Sequence, residues 1–176
     1  MRIILIGMKA CGKTTVGKFL SQKLGVSFVE LDNEIEKKHL NDKNEKLSFR
    51  EIFKKYGKKY FRDLETNTLS EISKILAGKD FVFACGGGTP LKNKNRKILK
   101  NLGKNIFLDV NREVLLERIL KDGLPSFFPY PDDPEKSLDE LLSKRLPVYQ
   151  ELAEFTLTID KETPEEIVNK FLENIY

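Results

Sequence analysis

A glycine-rich stretch near the amino terminus constrains the fold of this chain more than any other feature. Residues 7–14, Gly-Met-Lys-Ala-Cys-Gly-Lys-Thr, fit the pattern G-x-x-x-x-G-K-[ST]. The apolar run 2–7 leads into it, and the segment 13–24 that follows has its apolar residues at helical spacing. The pattern therefore predicts a buried strand, a tight loop and a helix, in that order.

The same loop predicts a site for a triphosphate. Backbone N–H groups in a glycine-rich loop and at a helix N-terminus bind anions. Lys13 is expected to contact the β- and γ-phosphates, and the Thr14 hydroxyl to coordinate Mg²⁺. The predicted ATP-binding residues of the loop are Ala10, Cys11, Gly12, Lys13, Thr14 and Thr15. Cys11 lies where the amide donors converge, which favours either a reactive thiol or a small residue that simply fits.

Strands and helices alternate along the rest of the chain. Apolar runs predict strands at 2–7, 27–32, 81–85, 105–110 and 155–160. Helical spacing and capping residues predict helices at 13–24, 33–40, 48–56, 60–77, 112–121, from Ser137 and from Pro164. We find no repeat and no domain boundary in the 176 residues. This order predicts one α/β domain with a five-stranded parallel sheet and helices on both faces.

The composition limits the chemistry to lysine, arginine, aspartate and backbone amides. A single histidine and two distant cysteines argue against Ser-His-Asp catalysis, a zinc site and a disulfide framework. No apolar run approaches the roughly 20 residues that span a bilayer, and the first residues lack the features of a signal peptide. We therefore expect a cytoplasmic protein without a membrane partner.

The net charge of +4 indicates attraction to anions. No nucleic-acid-binding motif accompanies that charge, and solvated lysines explain most of it. We therefore expect small-molecule partners rather than nucleic acid, and a monomer.

Further candidate residues follow the second and third predicted strands. Taken singly, Asp32 could be a helix cap, Gly86–Gly88 a turn, and Arg62 and Arg145 surface residues. In an open α/β sheet, however, ligands bind beyond the carboxyl ends of the strands. The glycine-rich loop, Asp32 and the triple glycine each follow a different strand, so they are expected to converge. That convergence favours a second ligand beside the triphosphate.

The chain resembles the shikimate kinases over nearly all of its 176 residues. The resemblance rests on GMKACGKTTVG, LDNEIEKK, SFREIFKKYGKKYFRDLE, CGGGTP and KRLPVYQELA, in that order. It implies a P-loop NTPase-type sandwich, with a single kinase domain over 1–176, acceptor-binding helices in 33–62 and a lid loop in 122–136. It also implies ATP-dependent phosphorylation of the 3-hydroxyl of shikimate, with Mg²⁺, in the biosynthesis of chorismate and the aromatic amino acids.

The resemblance implies roles for individual residues as well. Lys13 and Asp32 would be catalytic, with Asp32 either accepting the proton of the hydroxyl or only orienting it. Glu30 would hold Mg²⁺ through water together with Thr14, while Arg118 and Pro164 would flank the adenine. The residues that would bind the acceptor are Asp32, Arg62, Gly86, Gly87, Gly88 and Arg145. Guanidinium groups suit this task because their paired N–H donors match a carboxylate.

Three positions depart from the family pattern. Ala10 replaces a common glycine, which is tolerable if its φ is negative, and Glu30 replaces an aspartate. Leu124 occupies the place of a lid arginine that reaches the phosphates. The loss of such a cation lowers transfer rates by orders of magnitude unless another cation substitutes, and Lys9 and Lys121 are the candidates.

Two other functions stay open from the residues. A kinase of another small hydroxy acid or of a nucleotide would share the glycine-rich loop, although GLPSFFPYP offers no arginine to a nucleotide acceptor. A degenerate, nucleotide-binding kinase would fit Leu124. The lid aromatics Phe127, Phe128 and Tyr130 are expected either to shield the reaction from water or to pack as an ordinary loop.

Overall fold

The computed structural model describes residues 1–125 and 127–175, built around a five-stranded, all-parallel sheet of order β2-β3-β1-β4-β5. The strands are β1 Arg2–Ile6, β2 Ser27–Glu30, β3 Phe81–Ala84, β4 Lys104–Val110 and β5 Phe155–Ile159. The helices are α1 Lys13–Leu24, α2 Leu31–Lys43, α3 Phe49–Ile75, α4 Asn93–Leu102, α5 Arg112–Asp122, α6 Pro134–Leu152 and α7 Pro164–Ile175. A short 3₁₀ helix spans Thr89–Leu91. The predicted parallel α/β fold is thus confirmed.

The central strand β1 and its neighbour β3 are buried on both faces, as their continuous apolar sequence predicts. Every residue of β3 and residues 3–6 of β1 are at most 2% exposed. Leu5 of β1 is in register with Ala84 of β3 and Ile106 of β4, so β1 and β3 end at nearly the same level, whereas β4 continues to Val110. The loop after β1 is therefore flanked by the segment that follows β3 and by the last residues of β4. Among the described residues, no helix is long and apolar enough to cross a membrane.

Several element boundaries differ from the prediction for local reasons. The second strand ends at Glu30, and α2 begins at once, so Asp32 lies in the first helical turn rather than at the end of a strand. Acidic side chains in a first turn are stabilised by the helix dipole. The two helices predicted over 48–77 form α3, whose helical geometry is broken at Gly57 with φ 82°. The predicted capping box of Ser48 and Glu51 begins that helix.

Helix α4 was not among the predicted helices. Leu99 and Leu102 are its buried apolar residues, and four lysines and an arginine in 92–100 dominate the rest of the segment. Asn95 is also buried, and its Nδ2 donates to the carbonyl of Thr89 at 3.0 Å. This polar contact, which no apolar pattern reveals, joins the helix to the segment after β3.

Helix α5 continues to Asp122, and α6 begins at Pro134, so the loop between them, 123–133, falls within the predicted lid of 122–136. Its action as a lid stays a prediction, and we call this loop the lid. Asp133 caps α6 by accepting the N–H of Lys136 at 3.0 Å, and a proline at the first helical position favours this start.

Candidate active site

A single cleft at the carboxyl edge of the sheet collects every residue that the sequence predicts for the site. Its volume is about 770 Å³. The glycine-rich loop, α2, α3, the triple glycine, the lid, α6 and the start of α7 all contribute to its lining. The roles of the individual residues stay predictions, but their convergence is a feature of the structure.

The glycine-rich loop has the backbone of an anion cradle. Gly12 caps α1 with φ 93°, a left-handed conformation that glycine adopts without strain. The Nζ of Lys13 donates to the carbonyl oxygens of Gly7 and Met8, at 3.0 and 2.7 Å. The ammonium group therefore lies against the loop that would hold the phosphates.

Ala10 corrects one expectation from the sequence. Alanine was expected to be tolerable there on condition of a negative φ, but the residue has φ 65°, in the left-handed region. This conformation costs a residue with a Cβ about 1 kcal/mol. The carbonyl of Ala10 accepts a hydrogen bond from Nη1 of Arg118 at 3.3 Å, a contact that helps to hold the strained peptide. Arg118 and Pro164 both line the cleft, and their position beside the adenine stays a prediction.

Cys11 packs beneath the loop rather than facing the solvent. The residue is 1% exposed, and its Sγ lies 3.5 Å from Nζ of Lys13. A Cβ on Gly7 would approach that sulfur to 2.9 Å, so little space remains around it. Of the two interpretations of Cys11, this packing favours the small residue that simply fits, and not the reactive thiol.

Oxygen ligands suited to Mg²⁺ stand beside the loop. The Thr14 hydroxyl donates to Oε1 of Glu30, and Oε2 of Glu30 accepts from Nδ2 of Asn33 at 3.2 Å. Mg²⁺ prefers such oxygen atoms and usually binds through one or two of them, with water and substrate phosphates completing the shell. The described residues include no cluster of three or more His, Cys, Asp or Glu that could hold a metal ion. The hydroxyl of Thr14 and the carboxylate of Glu30 fit a Mg²⁺ ion whose remaining ligands are water and substrate phosphates.

Asp32 is a carboxyl with a strongly shifted proton affinity. Burial raises the pKa of Asp32 to about 6. Lys13 opposes that shift, whereas the negative charges of Glu65 and Glu30 add to it. Its Oδ1 lies 3.3 Å from the position of a Cβ on Gly86, so the carboxyl faces the triple glycine. A carboxyl group that exchanges its proton near neutral pH is suited to orient an acceptor hydroxyl or to accept its proton.

Arg62 is fixed against the triple glycine by an acid that the sequence reasoning missed. Nη1 of Arg62 donates to both carboxylate oxygens of Glu65, at 2.8 Å each. Glu65 is 1% exposed and also accepts from the hydroxyl of Thr89 at 2.7 Å. A Cβ on Gly88 would lie 2.2 Å from Nη2 of Arg62, so a larger residue there would displace the guanidinium group. The i, i+3 spacing in FRDLE is the signal that could have identified Glu65.

Arg145 lies on the other side of the same glycines and lacks a counter-charge. It is 5% exposed, and its Nη1 is 3.4 Å from the position of a Cβ on Gly87. Its buried Nε has no hydrogen-bond partner, and no ion pair between described residues includes this arginine. A buried, unpaired charge is expensive, and an anionic ligand would relieve it.

Tyr149, one helical turn after Arg145, is a second residue that the sequence reasoning missed. It is fully buried, and its hydroxyl donates to the carbonyl of Gly87. The same hydroxyl lies 3.7 Å from Sδ of Met8 in the glycine-rich loop. Tyr149 therefore joins the two loops that face the cleft.

The lid aromatics divide between the two expected roles. The ring of Phe127 lies 5.1 Å from the guanidinium carbon of Arg145 and covers the site. Phe128 packs in the core at 5% exposure, whereas Tyr130 is exposed and contacts Lys136. The expectation of shielding therefore fits Phe127 alone.

The loop and the cleft together define this chain as a P-loop phosphotransferase. It matches the family described as shikimate kinase over residues 9–176. It is 38% identical to the shikimate kinase of Thermodesulfovibrio yellowstonii, over 97% of this chain and 92% of that protein. Its identity to the shikimate kinase of Alkaliphilus oremlandii is 35%, over 98% of both chains. The chain therefore belongs to the shikimate kinase family.

Solved structures agree with this assignment. The shikimate kinase of Acinetobacter baumannii in complex with shikimate superposes with a TM-score of 0.86 at 34% identity, covering 98% of this chain and 91% of that one. A sugar kinase from Janibacter sp. superposes with a TM-score of 0.61 at 19% identity, over 97% and 91% of the two chains, and shares the fold alone.

Proposed function

We propose that this protein transfers the γ-phosphoryl group of ATP to the 3-hydroxyl of shikimate, giving shikimate 3-phosphate and ADP in chorismate biosynthesis. The observation that carries the proposal is the placement of two arginines around one triple glycine. Arg62 touches Gly88, and the unpaired Arg145 touches Gly87, beside the phosphate-binding loop. A small acid with a carboxylate fits this pair. The A. baumannii relative, solved with shikimate, supports the choice of acid.

Each residue of the cleft would contribute position or charge, because phosphoryl transfer requires little else from a protein. The loop amides and Lys13 would hold the β- and γ-phosphates, and the two arginines would fix the carboxylate. Asp32 would then direct the hydroxyl oxygen at the γ-phosphorus. Thr14 and Glu30 would hold Mg²⁺, which neutralises charge on the phosphates when bound.

Release of ADP in the presence of different acceptors tests the proposal. Purified protein is given ATP and Mg²⁺ with shikimate, gluconate, AMP or no acceptor. We expect rapid ADP release with shikimate alone and loss of that activity when EDTA removes Mg²⁺. Faster release with gluconate or AMP would identify a different kinase, and equal release with and without every acceptor would identify a degenerate one. In either case the proposed function would be wrong.

A further inference from the structure

Lys9 lies where the phosphate-binding loop meets the acceptor-binding glycines. A Cβ on Gly87 would be 3.3 Å from the backbone nitrogen of Lys9, so the two chain segments are in close contact. The phosphate-binding loop and the triple glycine are the two segments that bring a γ-phosphoryl group and an acceptor together. The Cα of Lys9 therefore lies between the proposed sites of the γ-phosphoryl group and the acceptor.

The ammonium group of Lys9 reaches over the cleft to the lid. Its Nζ donates to the carbonyl of Gly123 at 3.4 Å, and Lys9 and Leu124 line the same cleft. Within the part of the chain that is described, this is its one hydrogen bond, and it forms no ion pair. A long, weak bond to a loop carbonyl is easily exchanged for a bond to an anion.

A second cation, Arg50, lies close enough to act on Lys9. Burial lowers the pKa of Lys9, and the positive charge of Arg50 lowers it further, against the opposing charge of Asp122. Arg50 lines the cleft, and it too forms no ion pair with another described residue. Two cations that line one cleft, repel each other and form no ion pair with a described residue are suited to an anionic ligand.

The lid itself supplies no positive charge. Residues 123–133 contain no lysine or arginine, and Leu124 occupies the cleft lining. Charge on the equatorial oxygens of the transferring phosphoryl group must nevertheless be stabilised.

We propose that Lys9 is a catalytic residue of this transfer, and the inference rests on the proposed function. Its ammonium group leaves the carbonyl of Gly123 and binds an oxygen of the γ-phosphoryl group. The bond from the γ-phosphorus to the β–γ bridging oxygen breaks, and ADP keeps the electron pair. A new bond forms to the acceptor oxygen, whose proton passes to the carboxylate of Asp32. Lys9 stays protonated throughout and replaces the missing lid cation.

The test compares Lys9→Met with a rescue variant. Methionine keeps the length of the side chain and removes the charge, so we expect kcat to fall roughly 100-fold or more, as for other lost transition-state cations. The KM for shikimate should stay within about threefold, because Lys9 contacts the phosphoryl group rather than the carboxylate. The double variant Lys9→Met/Leu124→Arg restores a cation from the lid, and its kcat should be at least about tenfold higher than that of Lys9→Met.

Matched variants separate charge from structure. Lys9→Arg should retain most of the activity, and Lys121→Met should be unchanged, because Lys121 is exposed and does not line the cleft. Thermal unfolding of each variant checks the fold. A kcat of Lys9→Met within about threefold of wild type would overturn the proposal, as would a double variant no faster than the single one.

Basal ATP hydrolysis, measured without acceptor, distinguishes a failure of the role of Lys9 from a failure of the proposed function. Lys9→Met should slow it as well, because water attacks the same phosphoryl group. If wild type hydrolyses ATP but ignores shikimate, the proposed function fails, while a slower Lys9→Met still supports the role of Lys9. Equal hydrolysis by the two proteins would remove that role.

Discussion

Asp32, the proposed catalytic carboxyl, also destabilises the folded chain when it is ionised. Burial raises its pKa to about 6, which means that the folded state disfavours the ionised form that the proposed reaction uses. From about pH 4 to pH 6, the folded chain binds more protons at this group than the unfolded chain does. The contribution of Asp32 to stability therefore falls as the pH rises through that range.

Replacing Asp32 with asparagine should stabilise the protein and inactivate it. The neutral amide avoids the buried charge, so we expect the free energy of unfolding at pH 7.5 to rise by about 1–3 kcal/mol. The gain should shrink toward pH 4, where the wild-type carboxyl is protonated. Urea titrations at the two pH values measure this difference. Asp160→Asn, at an exposed position, is the control and should show no such trend.

Ala10 also carries strain that a substitution can remove. Glycine adopts φ 65° freely, so Ala10→Gly should stabilise the folded chain by up to about 1 kcal/mol. The larger conformational entropy that glycine gives the unfolded chain reduces this gain. Urea unfolding measures the change. Ala77, whose φ is not positive, gives the matched comparison, and Ala77→Gly should destabilise the chain by about 0.5–1 kcal/mol. The same sign for both variants would show that the backbone of Ala10 is not strained.

At the scale of elements, the acceptor side of the cleft is built by helices that fix short glycine segments. Helix α6 places Arg145 and Tyr149 one turn apart, and both reach Gly87. Helix α3 places Arg62 and Glu65 at i, i+3, and both reach the glycines from the opposite side. The triple glycine has no side chains of its own, so the helices determine its geometry.

Tyr149→Phe should therefore weaken acceptor binding indirectly, through the position of Gly87. The carbonyl of Gly87 would lose its hydrogen bond, worth about 1 kcal/mol, and we expect the KM for shikimate to rise about three- to tenfold. The KM for ATP should change less than twofold. Steady-state kinetics with each substrate varied in turn give both values.

Tyr60→Phe supplies the control for this prediction. It removes a partly buried hydroxyl that lies 3.0 Å from Nδ1 of His39, but Tyr60 does not line the cleft. Its KM for shikimate should match that of wild type. If both variants raise KM equally, general loosening of the fold explains the effect, and the contact with Gly87 does not.

At the scale of the whole molecule, the sequence predicted the features that depend on short stretches of the chain. The five strands and the glycine-rich loop were predicted because burial and loop conformation leave clear signals in short stretches of sequence. The order β2-β3-β1-β4-β5 and the contacts of Glu65 and Tyr149 depend on residues far apart in the chain, and no single stretch encodes them. The sequence left the sign of φ at Ala10 open, because the conformation of a loop residue depends on how the whole loop closes.

Arg145 connects the stability of the whole chain to ligand binding. Its guanidinium group is buried without a counter-charge, so replacement by methionine should raise the free energy of unfolding of the ligand-free protein by about 1–3 kcal/mol. The same variant should lose the stabilisation that shikimate gives the wild type, about 2.7 kcal/mol at 100 times Kd. Thermal unfolding with and without shikimate measures both effects.

Arg112→Met provides the comparison for Arg145→Met, because Arg112 forms surface ion pairs with Asp139 and Glu135. Its loss should change stability by less than about 1 kcal/mol and leave the response to shikimate intact. An Arg145→Met protein that is less stable than wild type, yet still stabilised by shikimate, would mean that this arginine has a structural partner. The acid would then be held elsewhere in the cleft. A more stable, unresponsive protein would instead show that the fold keeps an unpaired charge because its ligand needs it.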